Sequence, residues 1–264
     1  MLHCEKIKKI FDMGTATEKV ALGGCSFQLK ENDFVTVIGG NGAGKSTILN
    51  AIAGVFMVEE GSISIDDVDV TRIPEHTRAQ YIGRVFQDPR MGTSPSMSIE
   101  ENLAIAYRRG KRRTLRWGIN RKERDIFQTY LETLSLGLED RLSVKVGTLS
   151  GGQRQALTLL MATIRKPKIL LLDEHTAALD PKTAKIVLEL TNRVIEENKL
   201  TTLMVTHNMR DALKSGNRIM MMHEGKIILD VGGVEKAGLT VPDLLKMFEQ
   251  ASGEEMMSDR MLLT

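Results

Sequence analysis

At 264 residues the chain has room for one large α/β domain or two small ones, with a sizeable buried core. Its 36 Lys and Arg against 34 Asp and Glu leave a formal charge of +2, which removes any global electrostatic case for nucleic acid as the main partner. Cys4 and Cys25 match no metal or redox spacing, so they read as buried thiols of a reducing cytosol and not as nucleophiles.

In chain order, Glu5, Lys6, Lys8 and Lys9 interrupt the first ten residues, so no charged-then-apolar leader opens the chain. No apolar run approaches the roughly 20 residues that a membrane-spanning helix needs. The expectation is a soluble chain that reaches a membrane only by docking on another polypeptide. Short β-type runs follow at Cys25 to Leu29, Phe34 to Ile38, Ser62 to Ile65 and Tyr81 to Phe86, which predict a mixed sheet. The run 34–38 is apolar throughout, as a strand buried on both faces must be, and a helical pattern from Ser46 to Ala53 follows it at once.

From Ser98 to about Lys145 the pattern turns helical and charged, which predicts an inserted helical lobe. Alternation then resumes: a buried strand at Ile169 to Leu172, a helix starting at Pro181, a strand at Thr202 to Val205, and a hairpin of Arg218 to Met222 with Lys226 to Leu229 around Glu224-Gly225. The chain closes with an amphipathic helix carrying Val241, Leu244, Leu245 and Phe248, then a polar, Met-rich tail.

Gly39-Gly40-Asn41-Gly42-Ala43-Gly44-Lys45-Ser46 fits the phosphate-loop pattern, and it stands between a buried strand and a helix as that pattern requires. Glycines let successive N–H groups turn inward on phosphate, and the positive end of the following helix adds to the attraction. Lys45 supplies a mobile charge for the β- and γ-phosphates; a pair about 4 Å apart at an effective dielectric near 20 is worth about 4 kcal/mol. Ser46 is a candidate ligand for Mg²⁺. Asp173 and Glu174 close a buried strand, beside the phosphate loop if the two strands are neighbours in the sheet, and their roles are expected to divide: Asp173 would hold Mg²⁺, directly or through water, while Glu174 would orient and deprotonate the attacking water, a contribution of roughly 10²–10⁴-fold.

Ser150-Gly151-Gly152-Gln153 has the composition of an anion-binding helix start. Taken with the phosphate loop and the Asp173-Glu174 strand, the chain resembles the ATPase subunits of ABC transporters over residues 5–230, with six motifs in the family's order. The resemblance implies an α/β P-loop NTPase fold of the ABC-ATPase type. It would have a RecA-like core with an N-terminal antiparallel β-subdomain (1–89 and 148–238), a helical lobe (90–147), and a C-terminal helix and tail (239–264). ATP would be held by Phe11, stacked on adenine, and by Gly39, Asn41, Gly42, Ala43, Gly44, Lys45, Ser46 and Thr47. Ser150, Gly151, Gly152 and Gln153 would meet the γ-phosphate bound to the opposite subunit, and Asp180 would couple the two sites. Gln87 would touch Mg²⁺ and the attacking water, alongside Ser46 and Asp173, and His207 would contact the γ-phosphate.

Two features depart from the family. The connection from Phe11 to Leu22 is long, which leaves a core role open for Phe11, and His175 stands where proline is commoner; His175 is not read as catalytic. The implied function is an ATP-hydrolysing subunit, working as a head-to-tail dimer under an integral membrane permease on the cytoplasmic face of the cell membrane. Import of a small solute such as an amino acid, with an extracytoplasmic solute-binding protein, is the favoured form. An exporter subunit and a soluble, non-transport ABC-type ATPase are the alternatives. The basic stretch Arg108-Arg109-Gly110-Lys111-Arg112-Arg113 with Arg116, Arg121, Lys122 and Arg124 is either a solvated helix face or a contact for anionic lipid and acidic permease loops.

Overall fold

The computed structural model describes residues 1–110 and 118–252. β1 (Leu2–Phe11) and β2 (Lys19–Leu29) form an antiparallel pair, and β3 (Phe34–Gly39) leads through the glycine-rich loop into α1 (Lys45–Ala53). The chain then returns with β4 (Glu60–Ile65) and β5 (Val68–Asp69), completing an antiparallel sheet of order β2-β1-β4-β5. A single turn, α2 (Glu75–Arg78), leads to β6 (Ile82–Val85). Helices α3 (Ile99–Tyr107), α4 (Arg121–Glu132) and α5 (Gly151–Thr163) come next, before β7 (Ile169–Asp173), α6 (Pro181–Asn198) and β8 (Thr202–Val205). The last elements are α7 (Met209–Lys214), β9 (Arg218–His223), β10 (Lys226–Gly232), α8 (Gly233–Ala237) and α9 (Val241–Ser252).

The second sheet has the order β10-β9-β3-β8-β7-β6, parallel except for β10. Its central strands are apolar on both faces because both are covered. Ile169 and Leu171 of β7, with Val35 and Val37 of β3, pack toward α1 and the antiparallel sheet. Leu170 and Leu172 of β7 pack the other way, with Ala156 and Leu160 of α5 and Leu190 of α6. A third cluster joins Ile38 and Met221 to Met209 of α7 and to Leu244 and Phe248 of α9. The strands β3 and β7, whose neighbourhood would bring phosphate loop and carboxylates together, are not neighbours: β8 lies between them.

The end of α1 is fixed by Arg78, which is 1% exposed. Its guanidinium donates to the carbonyls of Ala51 and Ile52 in the last turn of α1, and to those of Thr71 and Ile73. A cation at the helix C-terminus satisfies carbonyls that have no intrahelical donor and opposes the negative end of the dipole. The β9–β10 hairpin turns on Glu224 (φ 45°) and Gly225 (φ 72°), two consecutive left-handed residues whose twist matches the strands.

Helices α3 and α4 start on reciprocal caps, Ser98 with Glu101 and Asn120 with Glu123. Part of the basic stretch is consumed internally. Arg108 pairs with Glu123, Arg124 with Glu100, and Arg109 donates to the carbonyl of Ala162 on α5. Lys111, Arg112, Arg113 and Arg116, on which the lipid-contact reading leans, lie outside the described residues.

Candidate nucleotide and hydrolysis site

The site is assembled at the carboxyl ends of β3, β8 and β7. Gly39 (φ 153°) and Gly44 (φ 99°) let the loop after β3 lie against neighbouring backbone: a Cβ on Gly39 would stand 2.2 Å from the Met222 carbonyl oxygen, and one on Gly44 2.7 Å from that of Ala21. Lys45, 7% exposed, folds back over this loop and donates to the carbonyls of Gly39 (2.9 Å) and Gly40 (3.0 Å). Burial pushes the pKa of its ammonium down, and the charges of Glu174 and Asp173 draw it back up.

Although β8 separates their strands, Ser46 Oγ donates to Asp173 Oδ1 at 3.0 Å. Ser46 reaches because it stands on the first turn of α1, which runs back across that face of the sheet. Burial raises the pKa of Asp173, while the Ser46 hydrogen bond and the Arg84 charge lower it. Glu174 follows in the left-handed region (φ 43°), and its N–H donates to the Val205 carbonyl at the end of β8. His207, two residues beyond β8, places Nδ1 3.4 Å from Glu174 Oε2. Their contact lowers the pKa of Glu174, with burial opposing, and raises that of His207. At this length it acts as an ion pair more than as a strong charge-assisted hydrogen bond.

Phe11, Lys19 and Glu174 line one cleft of about 270 Å³ with the loop residues Asn41 to Thr47. Phe11 is 37% exposed and meets Phe56 edge-on at 5.4 Å, so it is a wall of the cleft and not a core residue. Gln87 lines a separate cavity of about 860 Å³ with Arg84, Asp173, Gly151 and Leu179. Among the described residues the Gln87 side chain makes no hydrogen bond to Ser46, Asp173 or Glu174. Ser150, Gly152 and Gln153 line a third cavity of about 490 Å³ with Thr183. Ser150 caps α5 reciprocally with Gln153, and Asp180 caps α6 by accepting from the Thr183 N–H at 3.1 Å. Ser150, Gly152, Gln153 and Asp180 do not line the phosphate-loop cleft of their own chain.

His175 is 2% exposed, and its Nε2 lies 3.0 Å from Thr191 Oγ1. The Thr191 hydroxyl donates to the Val187 carbonyl, which leaves its lone pairs for an Nε2–H donor. Burial pushes the imidazole down to about 4, so it is neutral at ordinary pH. Arg84, Lys19 and Asn50 were not singled out from sequence. For Arg84 a signal existed: an arginine inside the apolar run Ile82 to Phe86.

Residues 22–177 match the family model described as ABC transporter. The chain is 44% identical over 251 residues to a tyrosine transport ATP-binding protein of Clostridioides difficile, covering 95% of this chain and all of that one. It is 33% identical over 211 residues to a spermidine/putrescine import ATP-binding protein of Mycoplasma mycoides, of whose length it covers 56%. A solved ATP-binding cassette, dimeric in a post-hydrolysis state with ADP and Pi bound, superposes with a TM-score of 0.74 at 29% identity, over 88% of this chain and 98% of that one. Phosphate loop, paired strand-end carboxylates and overall architecture agree with these likenesses: the chain belongs to the ATP-binding subunits of ABC transporters, and it binds and hydrolyses ATP.

Proposed function

We propose that the chain is the ATPase subunit of an importer for an amino acid of the aromatic class. The 44% identity to a tyrosine transport ATP-binding protein, extending over the whole of that relative, carries this reading. In it, two copies meet head to tail, and Ser150 to Gln153 of one copy cover the phosphates held by the other. That arrangement gives a purpose to a helix start that lies away from its own phosphate loop. A permease joins the pair at the cytoplasmic face of the membrane, and an extracytoplasmic binding protein delivers the solute. No helix among the described residues is long and apolar enough to cross a membrane.

In hydrolysis the loop amides and Lys45 hold the polyphosphate, with Lys45 exchanging the Gly39 and Gly40 carbonyls for phosphate oxygens. Phe11 offers its exposed ring to adenine. Glu174 takes a proton from the attacking water at its carboxylate, and His207 holds that carboxylate in place and faces the terminal phosphate. Ser46 and Asp173 fit Mg²⁺: both are oxygen donors at hydrogen-bond separation, and this ion accepts few protein ligands beside substrate phosphate. Bound there, Mg²⁺ would neutralise charge developing on the phosphates. Gln87, across the larger cavity, would complete the set when the lobes close.

Reconstitution with a candidate permease and an aromatic amino-acid binding protein tests the reading. ATP-driven uptake of labelled tyrosine or phenylalanine into vesicles is expected. Uptake of polyamine but of no amino acid would replace the substrate class, and efflux alone would reverse the direction.

A further inference from the structure

Arg84 is a charged residue inside a buried parallel strand, with Val85 fully buried beside it and 14% of its own side chain exposed. A cation so far out of water persists where fixed partners replace its hydration. Three are present. Nη2 donates to Asn50 Oδ1 at 2.5 Å, the guanidinium lies 4.5 Å from the centre of the Phe86 ring, and Nη2 stands 3.9 Å from Asp173 Oδ2. Each partner belongs to a different part of the site: Asn50 to α1, which grows out of the phosphate loop, Asp173 to the end of β7, and Phe86 to the residue before Gln87. The two oxygens of Asp173 are thereby divided, with Oδ1 accepting from Ser46 and Oδ2 facing Arg84.

We propose that Arg84 is a positioning residue of the hydrolytic site: it fixes the Asp173 carboxylate with one oxygen turned to Ser46, and so sets how well the site takes its divalent cation. This rests on Ser46 and Asp173 being the cation's ligands. The planar guanidinium suits the task, because its face lies over Phe86 while one nitrogen, Nη2, donates to Asn50 and stands near Asp173. A lysine ammonium in its place would keep the charge and lose the plane. Since Arg84 and Gln87 line the same cavity, the arginine also joins that cavity wall to the carboxylate.

The test compares Arg84→Met, Arg84→Lys and Asp173→Asn with the unaltered full chain. A fluorescent ADP analogue is titrated in EDTA and then over a Mg²⁺ series; thermal melting and ATPase kcat and KM are measured beside it. For R84M, affinity in EDTA should stay near that of the unaltered chain, while the Mg²⁺ concentration needed for half the enhancement rises roughly 10–100-fold, as for loss of a group that orients a ligand. The loss should fall on kcat more than on KM for ATP, and R84K should recover part of it. An R84M protein that melts earlier but whose folded fraction needs no more Mg²⁺ than the unaltered chain would overturn the proposal, since Arg84 would then only pack. So would equal losses in EDTA and in Mg²⁺. If D173N itself kept the full Mg²⁺ response, the ligand assignment would fail instead, and that result is read separately from R84M.

Discussion

His207 Nδ1 lies 3.4 Å from Glu174 Oε2 across the carboxyl ends of the adjacent strands β7 and β8. Glu174→Gln keeps the shape of that contact and removes the base. The variant should bind ATP through Lys45 and the loop, lose hydrolysis by roughly 10²–10⁴-fold, and accumulate as a dimer with ATP. Size-exclusion chromatography with ATP and Mg²⁺ checks this; a monomeric E174Q protein with normal turnover would remove Glu174 from the role.

Phe11 is partly exposed, and the packing it would lose is its edge contact with Phe56 and the Lys9 ammonium beside its ring. Phe11→Ala should weaken ATP binding by about 1–3 kcal/mol, the scale of base–aromatic stacking, with the melting temperature nearly unchanged. Equilibrium titration alongside thermal melting separates the two effects. An early melt with normal affinity would put the adenine platform elsewhere.

Gly152 sits in the first turn of α5, where an added Cβ would stand 2.2 Å from Thr183 Cγ2 on α6. Alanine is better than glycine in a helix by about 1 kcal/mol, but forced contact in a packed site costs roughly 1–3 kcal/mol, so the clash should win and G152A should destabilise. In a Thr183→Ser background the obstructing methyl is gone. There the same change should become neutral or stabilising, a reversal of sign that denaturant melts of the four proteins would resolve.

The neutral, buried His175 makes stability fall with acid. Its folded pKa of about 4 lies below the ordinary value of 6.5, so the unfolded chain binds the proton first. The contribution is whole above about pH 6.5 and is lost as pH falls through 4, on the order of 3 kcal/mol at about 1.4 kcal/mol per pH unit. Melting temperature should fall less steeply between pH 6.5 and 4 in His175→Gln than in the unaltered chain. Parallel slopes would show that the imidazole titrates alike in both states.

The parallel core was legible because Phe34 to Ile38, Ile169 to Leu172 and Thr202 to Val205 are short apolar runs at the right distance from turns. Their order in the sheet was not: nothing local in Leu203 or Val205 says that β8 lies between β3 and β7, since only tertiary packing decides which buried strand sits beside which. β1 escaped for a different reason. Its alternation is interrupted by register shifts between Cys4 and Ile7 and by Lys6, Lys8 and Lys9, so the period of two is blurred. Lys45, Ser46, Asp173, Glu174 and His207 could be named from motif spacing, whereas Arg84 and Asn50 gain meaning only when α1 is laid over β6.

Glu174 holds a backbone conformation (φ 43°) that a residue with a side chain adopts at a cost of order 1 kcal/mol, and that glycine adopts freely. At this one position, then, robustness and turnover pull in opposite directions. A Glu174→Gly chain should melt no lower than the unaltered one, and even slightly higher, while hydrolysing nothing. A search that ranks variants of this subunit by thermal tolerance alone would therefore not register the loss of Glu174, the residue proposed to activate water.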